Sequence, residues 1–174
     1  RHHFREDLQH CQAVYNAAQQ RNWGVVGLTE AELRYLAKRL EKIAEEQQVL
    51  LVEKDGQVIG FSVTVPDYNE AIRPLDGRLT TCGIPVGVAK AYMGVRKIKT
   101  ARMLILDLLE GYRRRGLSEL LILRTLDYGK NVLGYTGAEL SWTLEDNRLI
   151  NSAIETVGAK RYKTYRILEK ALGA

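Results

Sequence analysis

A chain of 174 residues, 45% apolar and 27% charged, fits one domain large enough to bury its own core, which excludes a disordered or fibrous polymer. Its 26 basic and 21 acidic side chains leave a net charge of +5, suited to an anionic partner such as a phosphate-bearing cofactor, an acidic lipid surface or a nucleic acid. Cys11 and Cys82 fall into no CxxC pattern, so neither a disulfide framework nor a zinc site is expected, and a reducing, cytoplasmic setting is.

Leu8, Cys11, Val14, Tyr15 and Ala18 recur at helical spacing, and Asn22-Trp23-Gly24 stops the pattern. His2, His3 and His10 sit at this end and are poor catalytic candidates. Thr29 with Glu32 three residues on is a capping box, starting a second helix whose apolar face runs from Leu33 to Ala44 and which ends near Glu46. The period then changes to two. Val49 to Val52 and Val58 to Val65 are strands, Lys54-Asp55-Gly56-Gln57 is the hairpin turn, and Ile59, Phe61, Val63 and Val65 share the buried face of a half-buried strand.

Residues 66–99 read as an irregular insertion. Pro66, Pro74 and Pro85 break it up, and a basic cluster of Arg96, Lys97, Lys99 and Arg102 closes it. A connection this long is usually functional or mobile. Ile84, Val88, Tyr92 and Met93 are apolar beside the basic residues. An amphipathic basic lid of this kind suits a lipid-like amine, a long acyl chain or a membrane surface, or packs on a domain that precedes this one.

Met103 to Leu109 is a near-continuous apolar run, expected as a central strand covered on both faces. A helix follows from about Leu117 to Val132, then a strand from Ala138 to Leu144. A short helix starts at Asp146 or Asn147 as cap and ends at Gly158, and a last strand spans Lys160 to Lys170. This order gives an α/β or α+β fold with a mixed sheet, in one domain over 1–174. No apolar run reaches the roughly 20 residues that span a bilayer, and no signal peptide is expected. The chain begins at Arg1 without a methionine, which is compatible with a longer parent protein.

Chemistry concentrates at Glu110-Gly111-Tyr112-Arg113-Arg114-Arg115-Gly116-Leu117-Ser118, between the central strand and the helix. A strand that enters a helix through a basic, glycine-containing turn leaves backbone N–H groups free at the helix start, where the dipole is positive. A pyrophosphate is the natural guest. The stretch is not a Walker loop and lacks the three-glycine dinucleotide spacing. Taken alone, it also reads as a solvated basic turn.

Arg113-x-x-Gly116-x-Ser118 after an apolar strand, with Tyr112 before it, resembles the pyrophosphate motif of the GNAT superfamily of N-acetyltransferases, written Arg/Gln-x-x-Gly-x-Gly/Ala. Asn147 after the strand 138–144, with Gly158 closing the next helix, is similar to a second landmark of that superfamily. Residues 49–170 carry the resemblance and 1–48 match in outline. The wording from Glu139 to Asn147 and from Arg161 to Arg166 resembles a bacterial group in which this domain is the C-terminal part of a longer chain.

The resemblance implies a GNAT-like acyl-CoA N-acyltransferase fold, acetyl-CoA or a longer acyl-CoA as co-substrate, an amine acceptor and no metal. It places coenzyme A along Leu108 and Leu109, on Arg113, Arg114, Arg115, Gly116, Leu117 and Ser118, and beside Asn147. Glu145 is the expected base, with Asp146 and Glu139 as alternatives. Asp107, if buried, would have a raised pKa, in a catalytic or a structural role. Tyr15 and Trp23 border the loop between the first helices, where members of the superfamily often shape the acceptor pocket; Trp23 also reads as plain packing. Three departures stand out: Ser118 for the usual Gly or Ala, Glu110 for a common proline, and Ile154 where many members place the tyrosine that protonates the leaving thiolate. Tyr162 or Tyr165 is the substitute acid expected from the last strand. The alternative is a catalytically silent acyl-CoA-binding or structural module. Nucleic acid is not expected, because no strand face interleaves exposed aromatic and basic residues.

Overall fold

Two helices lead into the sheet: α1 (Phe4–Gln19) and α2 (Glu30–Leu40). The structure, a computed structural model, describes residues 4–19, 25–80 and 83–170; the stop signal Asn22-Trp23-Gly24 and Cys82 lie outside them. The capping box forms as expected. Thr29 Oγ1 accepts from the Glu32 amide at 3.3 Å, and the Glu32 carboxylate accepts from the Thr29 amide at 2.8 Å. The helix stops at Leu40, short of Glu46, and gives way to a turn and a 3-10 segment at Glu46–Gln48.

Strands β1 (Val49–Lys54) and β2 (Gln57–Pro66) form the expected hairpin. Its central residues Asp55 and Gly56 both have positive φ, 52° and 76°, the twist that a two-residue turn between strands requires. β2 is buried on both faces rather than one, since Ser62 and Thr64 are as inaccessible as Phe61 and Val63. α1 supplies one cover: Val14 packs with Val58, Phe61 and Val63, and Cys11, Tyr15, Ile105 and Leu109 close around them.

The segment expected to be irregular holds α3 (Asn69–Ile72), a 3-10 turn at Arg73–Leu75 and α4 (Val86–Val95). α4 escapes a search for large apolar residues at helical spacing because its inward positions are small: Gly87 is buried and Ala91 and Gly94 half-buried. A Cβ at Gly87 would lie 2.2 Å from the Arg78 carbonyl oxygen, so the helix sits against the preceding loop at a distance only glycine allows.

β3 (Thr100–Leu108) is the central strand, followed by α5 (Leu117–Asn131), β4 (Gly137–Glu139) and α6 (Arg148–Thr156). The sheet order is β1-β2-β3-β4, antiparallel except for the parallel β3–β4 pair joined through α5. Ile122 of α5 is fully buried. Two expected strands are corrected. Only Gly137–Glu139 of the run to Leu144 pairs with the sheet, and residues 160–170 form no ladder and are exposed throughout. Tyr162, Tyr165, Ile167 and Leu168 are large side chains suited to a strand, but without a partner edge the backbone of the tail leaves its hydrogen bonds to water.

Candidate active site

The ladder between β3 and β4 ends at Arg102–Glu139. Two residues later Ser141 has φ 24°, outside the range of a strand, and residues 140–144 leave the sheet. From Met103 to Leu108 the edge of β3 therefore faces a cleft of about 1090 Å³ instead of a neighbouring strand. Alternate backbone N–H and C=O groups along that edge have no ladder partner. Tyr15 and Leu28 wall one side, and Leu144, Leu149, Ile150 and Ile154 wall another.

Arg113, Arg114 and Ser118 stand at the mouth. Arg114 and Gly116 take the left-handed conformation, with φ 65° and 75°, and turn the chain directly into α5. No side chain caps α5, so the amides of its first turn lack an intrahelical partner and the positive end of its dipole is open. A Cβ built on Gly116 meets nothing within 4 Å. That is the room an anion needs at this terminus. Arg115 lies over the Tyr112 ring at 5.2 Å. Glu119, in the first turn, also lines the cleft with the opposite sign, and the neighbouring arginines outweigh it.

Arg113 has a structural task that sequence alone does not suggest. Its Nε donates to the Leu108 carbonyl at 3.1 Å and its Nη2 to the Ala18 carbonyl at 3.0 Å. One guanidinium thus ties the end of β3 to the end of α1, closing a helix C-terminus with a cation.

Asp107 is the buried carboxylate of the cleft. Its Oδ1 accepts from Gln19 Nε2 at 2.9 Å, while Oδ2 is buried without a partner. Burial pushes its pKa up to about 6, against the opposing effects of the Gln19 hydrogen bond and the nearby Arg113 charge. The Tyr15 hydroxyl is raised as well, by burial first and then by the Asp107 charge.

No protein-family model matches the chain. It is 34% identical over 174 residues to the bacterial ceramide synthase of Caulobacter vibrioides, covering 97% of this chain and 44% of that one. The chain spans less than half the length of the curated relatives it matches. Among solved structures, the aminoglycoside N-acetyltransferase AAC(6')-Iy, in complex with the bisubstrate analogue CoA-S-monomethyl-acetylneamine, superposes with a TM-score of 0.60 at 14% identity, over 96% of this chain and 93% of that one. A putative acetyltransferase from Agrobacterium tumefaciens superposes at 0.58 with 15% identity, over 95% of each. The chain has the GNAT acetyltransferase fold.

β3 and β4 part after Arg102–Glu139, and the loop from Arg113 to Ser118 stands at the start of the helix that follows. Asn147 lines the cleft and caps α6, its Oδ1 accepting from the Ile150 amide at 3.5 Å. Ile154, where the resemblance leads one to expect a tyrosine, also lines the cleft and has no proton to give.

The expected acid and base are placed elsewhere. Glu145 is exposed, pairs with Arg166 at 3.8 Å and does not line the cleft, although Asp146 does. Tyr165 is exposed, and the exposed Tyr162 donates to Glu139 Oε2 at 2.6 Å. Neither tyrosine lines the cleft, because the strand meant to carry them does not form. Glu139 instead holds Arg102, which also pairs with Asp67 at 3.1 Å. Glu145→Gln is accordingly expected to leave initial rates within about twofold, since an exposed pair of this kind carries little energy; a rate loss of tenfold or more would return Glu145 to the chemistry.

Two cleft-organising residues went unnoticed in the sequence. Gln19 follows Tyr15 by one helical turn, the spacing that puts both on the face of α1 turned to Asp107. Asn151 donates to the Leu144 carbonyl at 3.0 Å and accepts from Thr143 Oγ1 at 2.5 Å, fixing the wall that leaves the sheet.

Proposed function

We propose that the chain is an N-acyltransferase that carries an acyl group from coenzyme A to the primary amine of a long-chain, lipid-like acceptor. The observation that carries this reading is the open edge of β3 leading from the uncapped start of α5 to a buried carboxylate. The pantetheine arm of coenzyme A contains two amides, which suit an unpaired strand edge as an added strand does. Its pyrophosphate suits the amides of the first turn of α5 and the arginines beside them. No metal is part of the reading, and the described residues contain no metal-binding group of His, Cys, Asp or Glu.

The amine nitrogen attacks the thioester carbonyl carbon. The C–N bond forms, the C–S bond breaks, and the proton lost from nitrogen passes to Asp107. A carboxylate with a pKa near 6 is about a hundredfold stronger a base than an ordinary one. Fixed geometry supplies much of the acceleration, and free amides of β3 polarise the carbonyl. With Ile154 in place of an acid, the sulfur leaves as thiolate and takes its proton from water, which a thiol pKa of about 8.5 permits.

Support for the lipid-like acceptor comes from the ceramide synthase relative, 34% identical across 97% of this chain. A ceramide is the amide of a fatty acid with a long-chain amino alcohol. Leu28, Leu140, Leu144, Leu149 and Ile154 give the cleft the apolar lining that an alkyl chain needs. Thiol release and amide mass are to be measured with acetyl-CoA or palmitoyl-CoA against sphinganine or an aminoglycoside. Palmitoyl-CoA with sphinganine is expected to turn over fastest. Binding of acyl-CoA without turnover of any pair would favour the silent module that Ile154 suggests.

A further inference from the structure

α4 faces the wrong way for a helix of a free-standing domain. Its small residues Gly87, Ala91 and Gly94 turn inward, onto Leu79 and Ala71. Its large ones turn outward: Val88, Tyr92 and Met93 are 53%, 70% and 58% exposed. Ile72, Leu79 and Ile84 of the same segment are exposed too. Sheltering apolar side chains is the main source of folding energy, so an inverted helix signals a surface that something else covers.

The charge of this segment says what covers it. Residues 68–99 contain Arg73, Arg78, Lys90, Arg96, Lys97 and Lys99 against Glu70 and Asp76, which is +4 of the chain's +5. Glu70, itself exposed, is engaged by the Lys99 amide and the Thr100 hydroxyl, from which its carboxylate accepts. Among the described residues none of the six cations has an ion-pair partner, and Arg96 lies beside the Tyr92 ring at 5.9 Å. A protein partner of such a face would have to bury lysines, which interface cores avoid. A bilayer accepts both kinds of group at once, with apolar tips among the acyl chains, tyrosine at headgroup depth and lysine and arginine stems reaching the phosphates. No described helix is long and apolar enough to cross a membrane, and the ten residues of α4 span only about 15 Å.

We infer that the face built by Val88, Tyr92 and Met93 with Lys90, Arg96 and Lys97 docks on an anionic phospholipid bilayer, α4 lying in the membrane plane. The segment joins the end of β2 to the start of β3, at the opposite end of β3 from the loop at Arg113. Docking there leaves that loop in water, open to a soluble donor, with a bilayer at the other end of the sheet. This goes beyond the transferase reading and is tested without any donor or acceptor.

Cosedimentation of the chain with vesicles of phosphatidylcholine alone, or with one third phosphatidylglycerol, measures it directly. The wild type is expected to bind the anionic vesicles at least about tenfold more tightly than neutral ones, and to be released by salt. Val88→Asp with Tyr92→Asp, at exposed positions, is expected to lose that binding while keeping its melting temperature. Arg96→Glu with Lys97→Glu is expected to weaken it about tenfold or more. Equal binding to both vesicle types, unchanged binding by either variant, or no wild-type binding would overturn the proposal. Retention of mixed-sequence RNA by wild type and Asp variant alike, without vesicle binding, would assign the charge to a polyanion and overturn it equally.

Discussion

Asp107→Asn is expected to lower kcat about a hundredfold or more, the size of a general-base contribution, and at the same time to raise stability. Both effects follow from one buried carboxylate. Asparagine keeps the oxygen that accepts from Gln19 and the shape that fits between α1 and β3, but it can take no proton. The pH dependence has a definite sign. Asp107 holds its proton more tightly when folded, at a pKa of about 6 against 3.8. The native state therefore binds more protons than the unfolded one between those values, and wild-type stability declines as pH rises through that window. At neutral pH the buried charge costs about 2 to 3 kcal/mol, which the asparagine variant is spared. Chemical denaturation at pH 4 and pH 7.5 reads this as a gap between variant and wild type that opens only at the higher pH. In the pH–rate profile, kcat/KM should rise through about pH 6 in the wild type, and this limb should vanish in the variant. A variant that is inactive and also less stable would mean that Asp107 holds the fold together rather than handling a proton.

Gly116→Glu is expected to weaken coenzyme A binding by about a hundredfold or more, because a carboxylate placed beside a pyrophosphate adds like-charge repulsion of several kcal/mol. The backbone contributes separately. Gly116 has φ 75°, so any side chain adds roughly 1 kcal/mol of strain. Gly116→Ala carries that strain without the charge, and its Cβ has open space before it. Alanine should therefore shift the melting temperature slightly and the affinity little, with glutamate alone causing the large loss of binding. Similar losses of affinity in both variants would mean that the turn's geometry, and not its charge, is what the ligand needs.

The parts of this molecule that were legible in the sequence are those set by local spacing. Thr29 and Glu32 announce a helix start, Asp55-Gly56 a hairpin, and the apolar run ending at Leu108 a central strand entering a basic turn. Each is decided by a handful of neighbours in the chain. What escaped depends on distant ones. Nothing local to Arg113 announces that the Ala18 carbonyl accepts from it. The burial of Asp107 is fixed by α1, and its accessible side by the departure of residues 140–144 at Ser141. A strand on either side of α6 would bring Glu145 and Tyr162 near the thioester. Without those ladders they stay on the surface. α4 was missed for the opposite reason, since its inward face is built from glycine and alanine and only the outward one is conspicuous.

Calorimetric titration of the chain with palmitoyl-CoA, acetyl-CoA and free coenzyme A tests the central claim most directly. Saturable one-to-one binding of all three, tightest for palmitoyl-CoA and lost in Gly116→Glu, is the result the cleft predicts. No heat of binding from any of them, or an isotherm unchanged by the glutamate, would contradict the assignment of this cleft to acyl-coenzyme A.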